Sequence, residues 1–498
     1  MSAFEPLYTA GEMRAAEDMF GGPTLELMER AGRATADVVL TEFAEARQVV
    51  VVCGPGANGG DGLVVARLLH EAGRAVEVVL AAPEERISGD SAENLRRARA
   101  AGVAFVERAE QADLVIDAVF GTGFSGAPRR AAASAIAAIG ALAAPVVAVD
   151  VPSGVDASTG RVGGTCVSAA VTVAFHGRKV GHAVAPGRFH AGRLVVADIG
   201  LKRSSETRAR RVTREVLELV PRRGERDNKY SAGHVVVVGG STGLTGAPVL
   251  TAEAAMRGGA GYVRAIVPAP LEHLFAARFV EVTTTGAPSD EGGRLLAAAA
   301  DVVQEAARRA DAVVIGPGLG RSDETCELVR VLLRSLELPV VLDGDGLWAL
   351  GDHHDWVFHR DAPTLLTPHA GELARILGRD SAWVDANRVD AVGGAADDVG
   401  AAVLLKGADT LVAAPGRGLV VCDLGNPGLA SAGSGDVLAG AAGAFLAKGM
   451  DAHLSGAAAA AACGIAAEAA ASDVGTVGMI ARDVIASLSP VLSEARRD

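Results

Sequence analysis

The sequence GPGANGGDG (residues 54–62) lies between the apolar run QVVVVC and the helix-like stretch LVVARLLHEAG. Its glycines Gly54, Gly56 and Gly59 have the spacing Gly-x-Gly-x-x-Gly, which between a strand and a helix is typical of dinucleotide binding. Two features oppose an ordinary dehydrogenase: Asp61 at the helix entrance would repel a pyrophosphate, and the next strand, VEVVLAA, has no acid at its end for a ribose. The stretch therefore predicts a strand, a glycine-rich loop and a helix that hold something other than a conventional cofactor.

Short β-branched runs alternate with helical patterns around this loop. In the first series, these runs are RQVVVVC, AVEVVLAA, ADLVIDAVF, APVVAVDV, SAAVTVAFH and GRLVVADIG. A second series begins at GHVVVVGGS (233–241) and ends in Ala/Gly-rich helices from residue 436 onward. Such alternation predicts βαβ units and largely parallel sheets covered on both faces.

The size of the chain agrees with two α/β domains. The chain has 498 residues, of which 49% are hydrophobic and 21% are charged, so it is globular and too long for one compact core. We expect domains at 1–212 and 213–498. The segment at about 202–226, KRSSETRARRVTREVLELVPRRGER, is expected to be a solvated linker of mixed charge.

Composition also excludes several classes of partner. A net charge of -13 opposes nucleic-acid binding, because such proteins cluster Lys and Arg. Five widely spaced cysteines are typical of reduced thiols in a cytoplasm, and no signal peptide is visible. The Ala-rich stretch 456–471 falls short of the roughly 20 apolar residues of a membrane span, so we expect a buried helix and no membrane partner.

Three loops of the first domain should meet at the carboxyl edge of its sheet: ANGGD (57–61), DAVFGTGFSGA (117–127) and DVPSGVDASTG (150–160). Their glycines let backbone amides approach a ligand. Oxygens of Asn58, Asp117, Asp150 and Ser153 suit an alkali or alkaline-earth cation, or polar ligand groups. The alternative is that Asp61 and Asp150 only cap helices and turns.

The motifs ANGGDG, VIDAVFGTG and VDVPSG resemble those of the NAD(P)H-hydrate epimerase domain over most of residues 1–200. The resemblance implies a Rossmann-like three-layer αβα domain in which Asp150 is catalytic and K⁺ is bound by Asn58, Asp117 and Ser153. Ala57 stands where the family usually has a second Asn, so one side-chain hydrogen bond to the ligand is missing. The substrate-binding residues that it implies are Ala57, Asn58, Gly59, Gly60, Asp61, Gly121, Thr122, Gly123, Phe124, Ser125, Gly126, Ala127 and Asp150.

In the second domain, NPGLASAGSGDVLAG (426–440) has the form of an anion-binding loop that runs into a helix. Backbone N–H groups of Gly433, Ser434 and Gly435 are placed for phosphate oxygens. Asp436 is then positioned to take a proton from a hydroxyl that attacks a phosphoryl group, or simply to cap the helix. The chain has no Walker-type motif.

The ordered set GHVVVVGGS, VVIGPGLG, VVLDGDGL, LLTPHAGEL, LLKGADTLV and GLASAGSGDVL resembles the ADP/ATP-dependent NAD(P)H-hydrate dehydratases, which are ribokinase-like, over roughly 226–490. The resemblance implies a dependence on Mg²⁺, with Asp436 catalytic. It implies that the hydrated dinucleotide is faced by Ala247, Gly318, His369 and Asp436. It also implies a phosphate-donor site formed by Lys406, Gly407, Ala408, Asp409, Thr410, Asn426, Ala432, Gly433, Ser434 and Gly435.

Several residues of this domain keep a second interpretation. His369 taken alone is more often a hydrogen-bonded structural histidine, and Lys406 alone an ordinary strand-end cation. In DGDGLWAL (343–350), the family more often has Ala, Ala and Asn at Gly344, Gly346 and Trp348. Asp343 and Asp345 are expected near metal-bound phosphates. The remaining histidines of the polar loop HHDWVFHR are expected to be solvated rather than zinc ligands: His353, His354 and His359.

Together the two resemblances imply a bifunctional enzyme, an isomerase and a lyase, that repairs the nicotinamide dinucleotide. It would interconvert the R and S hydrates, NADHX and NADPHX, and dehydrate the S form with ADP, giving AMP and phosphate. We expect a cytoplasmic homo-oligomer. The alternatives are a ribokinase-like small-alcohol kinase with a non-catalytic, nucleotide-sensing N-terminal domain, and a nicotinamide dehydrogenase.

Overall fold

The computed structural model describes residues 2–202 and 207–495. The chain forms two compact units: one comprises Pro6–Ala209, and the other comprises Arg210–Asp498 together with Met1–Glu5. Part of the expected linker, residues 203–206, lies outside the described residues.

In the N-terminal part of the chain, strands alternate with helices as the sequence predicts. The strands are β1 (Phe4–Leu7), β2 (Gln48–Cys53), β3 (Ala75–Leu80), β4 (Ala104–Val106), β5 (Leu114–Ala118), β6 (Val146–Val149), β7 (Val171–Phe175) and β8 (Arg193–Ala197). The helices are α1 (Ala10–Asp18), α2 (Thr24–Glu42), α3 (Ala57–Glu71), α4 (Gly89–Ala100) and α5 (Arg130–Ala141). Short 3₁₀ helices follow at Glu84–Arg86, Val180–His182 and Gly187–Phe189.

The sheet of this unit is parallel, in the order β4-β3-β2-β5-β6-β7-β8. Alternate residues of β2 enter two different cores: Val49 and Val51 pack in one cluster with Leu63 of α3, while Val50 and Val52 pack in another with Ile136 of α5. Burial on both faces explains the continuous valine run and confirms the expected three layers. The chain changes direction between β2 and β5, so the loop 54–62 lies at a topological switch point.

The C-terminal unit repeats this alternation with additional strands. Its strands are β9 (Ala209–Val212), β10 (His234–Val238), β11 (Tyr262–Pro268), β12 (Thr283–Ala287), β13 (Ala312–Ile315), β14 (Val340–Leu342), β15 (Thr364–Leu366), β16 (Ala402–Leu405), β17 (Thr410–Ala413) and β18 (Leu419–Cys422). Its helices are α6 (Gly246–Arg257), α7 (Glu272–Arg278), α8 (Ala300–Ala307), α9 (Asp323–Ser335), α10 (Asp345–Leu350), α11 (Asp355–Phe358), α12 (Ala370–Leu377), α13 (Ser381–Ala386), α14 (Arg388–Val399), α15 (Ser434–Ala447), α16 (Ala452–Val474) and α17 (Ala481–Glu494). Short 3₁₀ helices lie at Arg214–Leu219, Ala269–Leu271, Ala297–Ala299 and Pro427–Leu429.

The sheet of this unit has the order β1-β9-β18-β17-β16-β15-β14-β13-β10-β11-β12. The strands from β12 to β16 pair in parallel, whereas β16, β17 and β18 pair antiparallel. Sequence alternation therefore predicts the parallel part and misses the antiparallel turn-back. All loops that follow β10, β13, β14, β15 and β16 reach the same edge of the sheet.

The segment expected to be a solvated linker differs from that expectation over residues 209–220. Val212, Val216 and Val220 are buried in the core of the C-terminal unit. Arg211 pairs with Asp423 at 2.7 Å and with Glu5 at 3.2 Å. The apolar spacing of these residues, masked by the surrounding charges, is what draws the segment into the core.

The Ala-rich stretch forms part of α16, which is longer than expected from residues 456–471. With 23 residues, α16 is long and apolar enough to cross a membrane by length and composition alone. However, most of this helix is buried, and Ala458, Ala461 and Ile465 belong to the core of the C-terminal unit. The expected buried helix is confirmed.

Candidate active sites

A cavity of about 950 Å³ opens at the carboxyl edge of the N-terminal sheet. This volume is in the range that holds a cofactor-sized ligand. The sequence-predicted residues that line the cavity are Ala57, Asn58, Asp61, Gly121, Thr122, Gly123, Phe124, Ser125, Ala127 and Asp150. The three loops named from the sequence are therefore brought together.

Three of the predicted glycines are not among the lining residues: Gly59, Gly60 and Gly126. A Cβ on Gly59 would lie 1.8 Å from the Gly54 carbonyl oxygen, and one on Gly60 would lie 2.5 Å from Met28 Sδ. Close packing of α3 against its neighbours therefore requires glycine at both positions, and their contact with a ligand stays a prediction. Gly126 has a φ of +79°, so it serves the turn of its loop.

Polar oxygens converge behind the loop at Phe120. Asp117 is fully buried and accepts hydrogen bonds from the Ser153 backbone N–H (2.8 Å) and the Ser153 hydroxyl (2.6 Å). The Phe120 N–H donates to Ser153 Oγ (2.8 Å), and Asn58 Nδ2 donates to the Phe120 carbonyl oxygen (2.9 Å). Burial raises the pKa of Asp117 to about 6, although its hydrogen bonds with Ser153 and Val119 lower it. The three predicted K⁺ ligands thus belong to one hydrogen-bond network, in which the Phe120 backbone joins Asn58 to Ser153 and Ser153 contacts Asp117.

Asp150 is buried in a strained backbone conformation beside a lysine. Its φ is +66°, which is uncommon for a residue with a side chain. Lys179, whose side chain is 0% exposed, forms an ion pair with Asp150 and donates to the Phe175 carbonyl oxygen at 2.8 Å. The Phe175 N–H also donates to Asp150 Oδ1 at 3.0 Å. A buried, hydrogen-bonded ion pair of this kind fixes the position of the carboxylate.

Two further acids face this pair. Burial raises the pKa of Asp61 well above its usual range, and the charges of Asp150 and Glu17 raise it further. The pKa of Glu17 is raised by its partial enclosure in the cavity wall and by Asp150. Asp61 and Glu17 thus share one cavity with Asp150, where burial and like charges favour the protonated form of both Asp61 and Glu17.

Sequence reasoning missed Lys179 and Glu17. Lys179 lies in the stretch HGRKVGH, directly after the strand-like run SAAVTVAFH. Its place at the carboxyl end of β7 was a usable signal, because parallel strands bring such residues to one edge. Glu17 belongs to α1, whose position over the site has no comparable sequence signal.

In the C-terminal unit, α15 begins directly after the predicted anion loop. Gly433 precedes the helix with a φ of +92°, and a Cβ there would lie 2.5 Å from Leu250 Cδ1. Asp436 lies in the first turn and is not the cap residue. Burial raises its pKa to about 7, Asp343 and Glu372 raise it as well, and Lys406 lowers it. A carboxylate with this pKa at a helix N-terminus is suited to general-base chemistry near neutral pH.

Lys406 links the acids around this loop. Its Nζ lies 2.9 Å from Asp343 Oδ1 and 3.9 Å from Glu372 Oε2. The same Nζ is close to the anion loop, because a Cβ added at Gly435 would lie 3.2 Å from it. Burial lowers the pKa of Lys406, but Asp343, Glu372 and Asp436 outweigh it and raise the pKa above the ordinary value. Thr367 Oγ1 donates to Asp343 Oδ1 at 2.7 Å, which orients that carboxylate. Glu372 was not predicted from the sequence.

The residues expected to face the dinucleotide are placed as follows. Ala247 lies in the first turn of α6, and Gly318, with a φ of +61°, lies so close that an added Cβ would meet Ala247 Cβ at 3.4 Å. His369 caps α12: its Nδ1 accepts from the Gly371 N–H (3.0 Å) and the Glu372 N–H (3.2 Å). The structural interpretation of His369 thus fits its cap position, and the Nε2 of its exposed ring lies 3.6 Å from Glu372 Oε1.

Three expected phosphate-site residues are used elsewhere in the structure. Asp409 is fully buried and paired with Arg388 at 3.2 Å. Asn426 donates to the Ala467 carbonyl oxygen (2.8 Å) and accepts from the Gly428 N–H (2.9 Å), so it caps a short 3₁₀ helix. Asp345 pairs with Arg321 at 2.9 Å rather than with Lys406. Each of these three side chains therefore already has a partner within the protein.

The other predicted phosphate-donor residues lie on two loops at the same sheet edge. They are Gly407, Ala408 and Thr410 after β16, and Ala432 and Ser434 before or at the start of α15. Across residues 2–202 and 207–495, no group of three or more His, Cys, Asp and Glu side chains could hold a metal ion.

Each half of the chain matches a family of known proteins. Residues 24–181 match the family model described as the YjeF-related protein N-terminus, and residues 235–490 match that of NAD(P)H-hydrate dehydratase. The chain is 38% identical to the bifunctional NAD(P)H-hydrate repair enzyme of Moorella thermoacetica, over 98% of this chain and 96% of that one. It is also 38% identical to that of Salinibacter ruber, with the same coverage.

Among solved structures, a ribokinase-like superfamily protein from Enterococcus faecalis aligns with a TM-score of 0.50 at 20% identity. The alignment covers 60% of this chain and 100% of that one, and it shows a common fold. The expected two-domain α/β architecture, with a ribokinase-like C-terminal domain, is confirmed. The chain belongs to the family of bifunctional NAD(P)H-hydrate repair enzymes, which join an epimerase domain to an ADP/ATP-dependent dehydratase domain.

Proposed function

We propose that this chain repairs both epimers of hydrated NADH and NADPH. Residues 1–212 interconvert the R and S hydrates, and residues 213–498 dehydrate the S hydrate with ADP, giving AMP and phosphate. The environment of Asp436 is the observation that supports the dehydratase reaction. This residue combines a pKa of about 7 with a place directly after the amides of Gly433 and Gly435 and near Lys406.

In the proposed dehydratase reaction, the ring hydroxyl of the S hydrate attacks the terminal phosphorus of ADP. Asp436 accepts the hydroxyl proton, and the bond between phosphorus and the AMP oxygen breaks. The carbon–oxygen bond of the new phosphate ester then breaks, releasing phosphate, a far better leaving group than hydroxide, and the adjacent ring carbon loses a proton to solvent as the ring double bond of NADH forms. Lys406 and the amides of Gly433–Gly435 stabilise the negative charge of the transferring group.

Mg²⁺ is proposed as the metal of this site. In such sites it is held by one or two carboxylates together with substrate phosphates, so a three-ligand protein group is unnecessary. Asp343 and Glu372 are the carboxylates that fit, since both lie beside Lys406 at the anion loop. When bound, Mg²⁺ would neutralise charge on the phosphates.

In the proposed epimerase reaction, Asp61 and Asp150 move protons at the hydrated ring carbon. The raised pKa of Asp61 favours its protonated form, so it donates to the hydroxyl oxygen as the bond between that oxygen and the ring carbon breaks and water leaves. The Asp150 carboxylate, positioned by Lys179, accepts a proton from a water molecule whose oxygen bonds to the opposite face of the same carbon. Reversal of these roles regenerates either epimer.

K⁺ is proposed to bind Asn58, Asp117 and Ser153. The oxygens at Phe120 suit a hard cation, and the only charged group among these ligands is the buried Asp117 carboxylate. A bound cation would offset the burial that raises the pKa of Asp117. It would also fix the loop 121–127 against α3.

The remaining assignments rest on the same two sites. The substrate contacts are those of the N-terminal cavity and, in the C-terminal unit, Ala247, Gly318 and His369. We propose a cytoplasmic location, which five free cysteines support. A homo-oligomeric state stays a prediction.

The test is product analysis. The purified chain is given S-hydrated NADH with Mg²⁺ and either ADP or ATP, while reduced-nicotinamide absorbance and phosphorus NMR are followed. The proposal predicts recovery of NADH with stoichiometric AMP and free phosphate when ADP is the donor. A stable phosphate ester without NADH would indicate a small-alcohol kinase, and recovery with ATP alone would overturn the choice of ADP.

A further inference from the structure

A second, smaller cavity lies in the C-terminal unit at the opposite ends of α6 and α15 from the anion loop. Its volume is about 290 Å³. The residues of this basic pocket that matter for its chemistry are Arg222, Arg223, Arg257, Lys448, Ser489 and Ser493. None of them belongs to the proposed dehydratase site.

Helix geometry separates the two places. Arg257 ends α6, whose first turn carries Ala247, and the 12 residues of α6 span about 18 Å. Lys448 caps the C-terminal end of α15, whose first turn carries Asp436, and its 14 residues span about 21 Å. The basic pocket is therefore not an extension of the anion loop.

The cations of the basic pocket have backbone partners rather than acidic ones. Arg222 donates to the Leu492 carbonyl oxygen (2.9 Å), Arg223 to that of Ala260 (2.7 Å), and Lys448 to that of Gly258 (3.0 Å). Among residues 2–202 and 207–495, no carboxylate forms an ion pair with these groups or with Arg257. Capping of helix C-termini explains part of this arrangement.

The hydrogen bonds to helix-end carbonyl groups use only some of the N–H donors of these cations. A guanidinium has five N–H donors and an ammonium has three, so each of these groups, all of which line the cavity, keeps donors that the carbonyl bonds do not use. The surroundings of Lys448 also disfavour the charged form of its side chain. Burial, together with the positive charges of Arg223 and Arg222, lowers the pKa of Lys448 to about 8. A hydrogen bond from the Gly224 N–H lowers the pKa of the Asp227 carboxyl and the charge of Arg223 adds to this effect, so one acid lies within the electrostatic range of Arg223, although not in ion-pair contact. Cations that cluster around a concavity and outnumber the acids nearby are the arrangement expected where an anion binds.

We propose that the basic pocket binds a phosphate group, as inorganic phosphate or on a small phosphorylated metabolite. Arg222 and Arg223 supply planar donors that match phosphate oxygens, and Lys448 and Arg257 add charge. The Ser489 hydroxyl gives a neutral hydrogen-bonding group on the α17 side, whereas the Ser493 hydroxyl donates to the Ser489 carbonyl oxygen at 2.8 Å. Leu217 and Met256 add apolar wall, which suits a compact organic phosphate.

The test is calorimetric titration of the full chain with inorganic phosphate in the absence of Mg²⁺. The chain offers a matched control: Arg308 and Arg309 form a second Arg-Arg pair on the surface of the same unit, outside the basic pocket. R222A/R223A is therefore compared with R308A/R309A. The dehydratase site is intact in both, so phosphate bound there contributes equally.

We expect the unmodified chain and R308A/R309A to bind one phosphate in the basic pocket with the same affinity. In R222A/R223A the affinity of that site should fall at least tenfold, because two charge-assisted contacts are removed. Arg257→Gln, at an exposed position, gives a second reading if the double variant does not fold. Identical isotherms for the pocket variants and the control would overturn the proposal. The proposal would also be overturned if saturating ADP removed all phosphate binding, because the phosphate would then bind only at the dehydratase site.

Discussion

The two candidate sites place a lysine beside aspartate in opposite ways. In the N-terminal unit, Lys179 is fully buried and its ammonium is used by Asp150 and a backbone carbonyl. In the C-terminal unit, the side chain of Lys406 is 20% exposed and lies among Asp343, Glu372 and Asp436. The first lysine fixes a carboxylate, whereas the second has its charge available for an incoming phosphate. The difference follows the chemistry: proton transfer needs a positioned base, and phosphoryl transfer needs an accessible cation.

The acids of the two sites differ in the same sense. Burial, together with the charges of Asp150 and Glu17, raises the pKa of Asp61 well above its usual range. Asp436 is less enclosed, and Lys406 opposes the effect of burial, so its pKa stays at about 7. The surroundings of Asp61 thus favour an acid, while Asp436 titrates close to neutral pH and can act as a base.

The largest effect is expected for Asp436→Asn. An amide cannot accept the hydroxyl proton, so dehydratase kcat should fall by about 10²–10⁴-fold, with epimerase activity unchanged. The measurement is the rate of NADH recovery from S hydrate. Asp345→Asn is the control, because Asp345 is paired with Arg321. Equal loss in both variants would show that Asp436 has no special role.

Lys179→Met should damage the N-terminal site and its stability together. Removing Lys179 leaves Asp150 buried without its partner, which typically costs about 3–5 kcal/mol. We expect that loss in denaturant unfolding of the N-terminal unit, together with lost epimerase activity. The control is Lys202→Met, an exposed position in the same unit. If Lys179→Met unfolds like the unmodified chain, the ion pair does not stabilise the site.

The pH dependence should separate the two sites. Asp436 acts as a base only when deprotonated, so dehydratase kcat should rise about tenfold per pH unit below 7 and level off above about 7. The measurement is kcat from pH 5.5 to 9 at saturating substrate. In Asp436→Asn, the residual rate should lose this dependence. A profile of unmodified chain that is flat through pH 7 would exclude Asp436 as the titrating base.

The smallest effect concerns K⁺. Because Asp117 has a pKa of about 6, protons compete with the cation, and K⁺ activation of epimerisation should weaken as pH falls below 6. Asp117→Asn should reduce K⁺ activation several-fold at pH 7.5. Asp113→Asn, which removes only a carboxylate that accepts from the Arg47 and Gln48 backbone, is the control. Undiminished K⁺ activation in Asp117→Asn would remove Asp117 from the cation site.

Much of this architecture could be predicted from the sequence, because parallel strands have a strong local pattern. The valine runs of β2 and β10 identify buried strands, and the glycine-rich loops after them identify the binding edge. The short strand β9 was missed because Arg210 and Arg211 interrupt the apolar pattern, and only Val212 and the pairing of Arg211 reveal its place.

The chemistry of individual side chains was less predictable. The sequence places Asp343, Asp345 and Asp409 equally near the phosphate site, yet their ion partners differ: Lys406, Arg321 and Arg388. Which cation pairs with which acid depends on contacts between residues far apart in the chain. The same holds for Lys179, whose burial depends on its packing beneath Asp150.

The most direct test of the account is repair of an R/S mixture of hydrated NADH with ADP, Mg²⁺ and K⁺, followed by reduced-nicotinamide absorbance. The account predicts complete recovery by the unmodified chain, recovery of only the S fraction on the same time scale by Asp150→Asn, and none by Asp436→Asn. If Asp150→Asn recovers both epimers as fast as the unmodified chain, the N-terminal site does not catalyse epimerisation and the division of labour between the two sites is wrong.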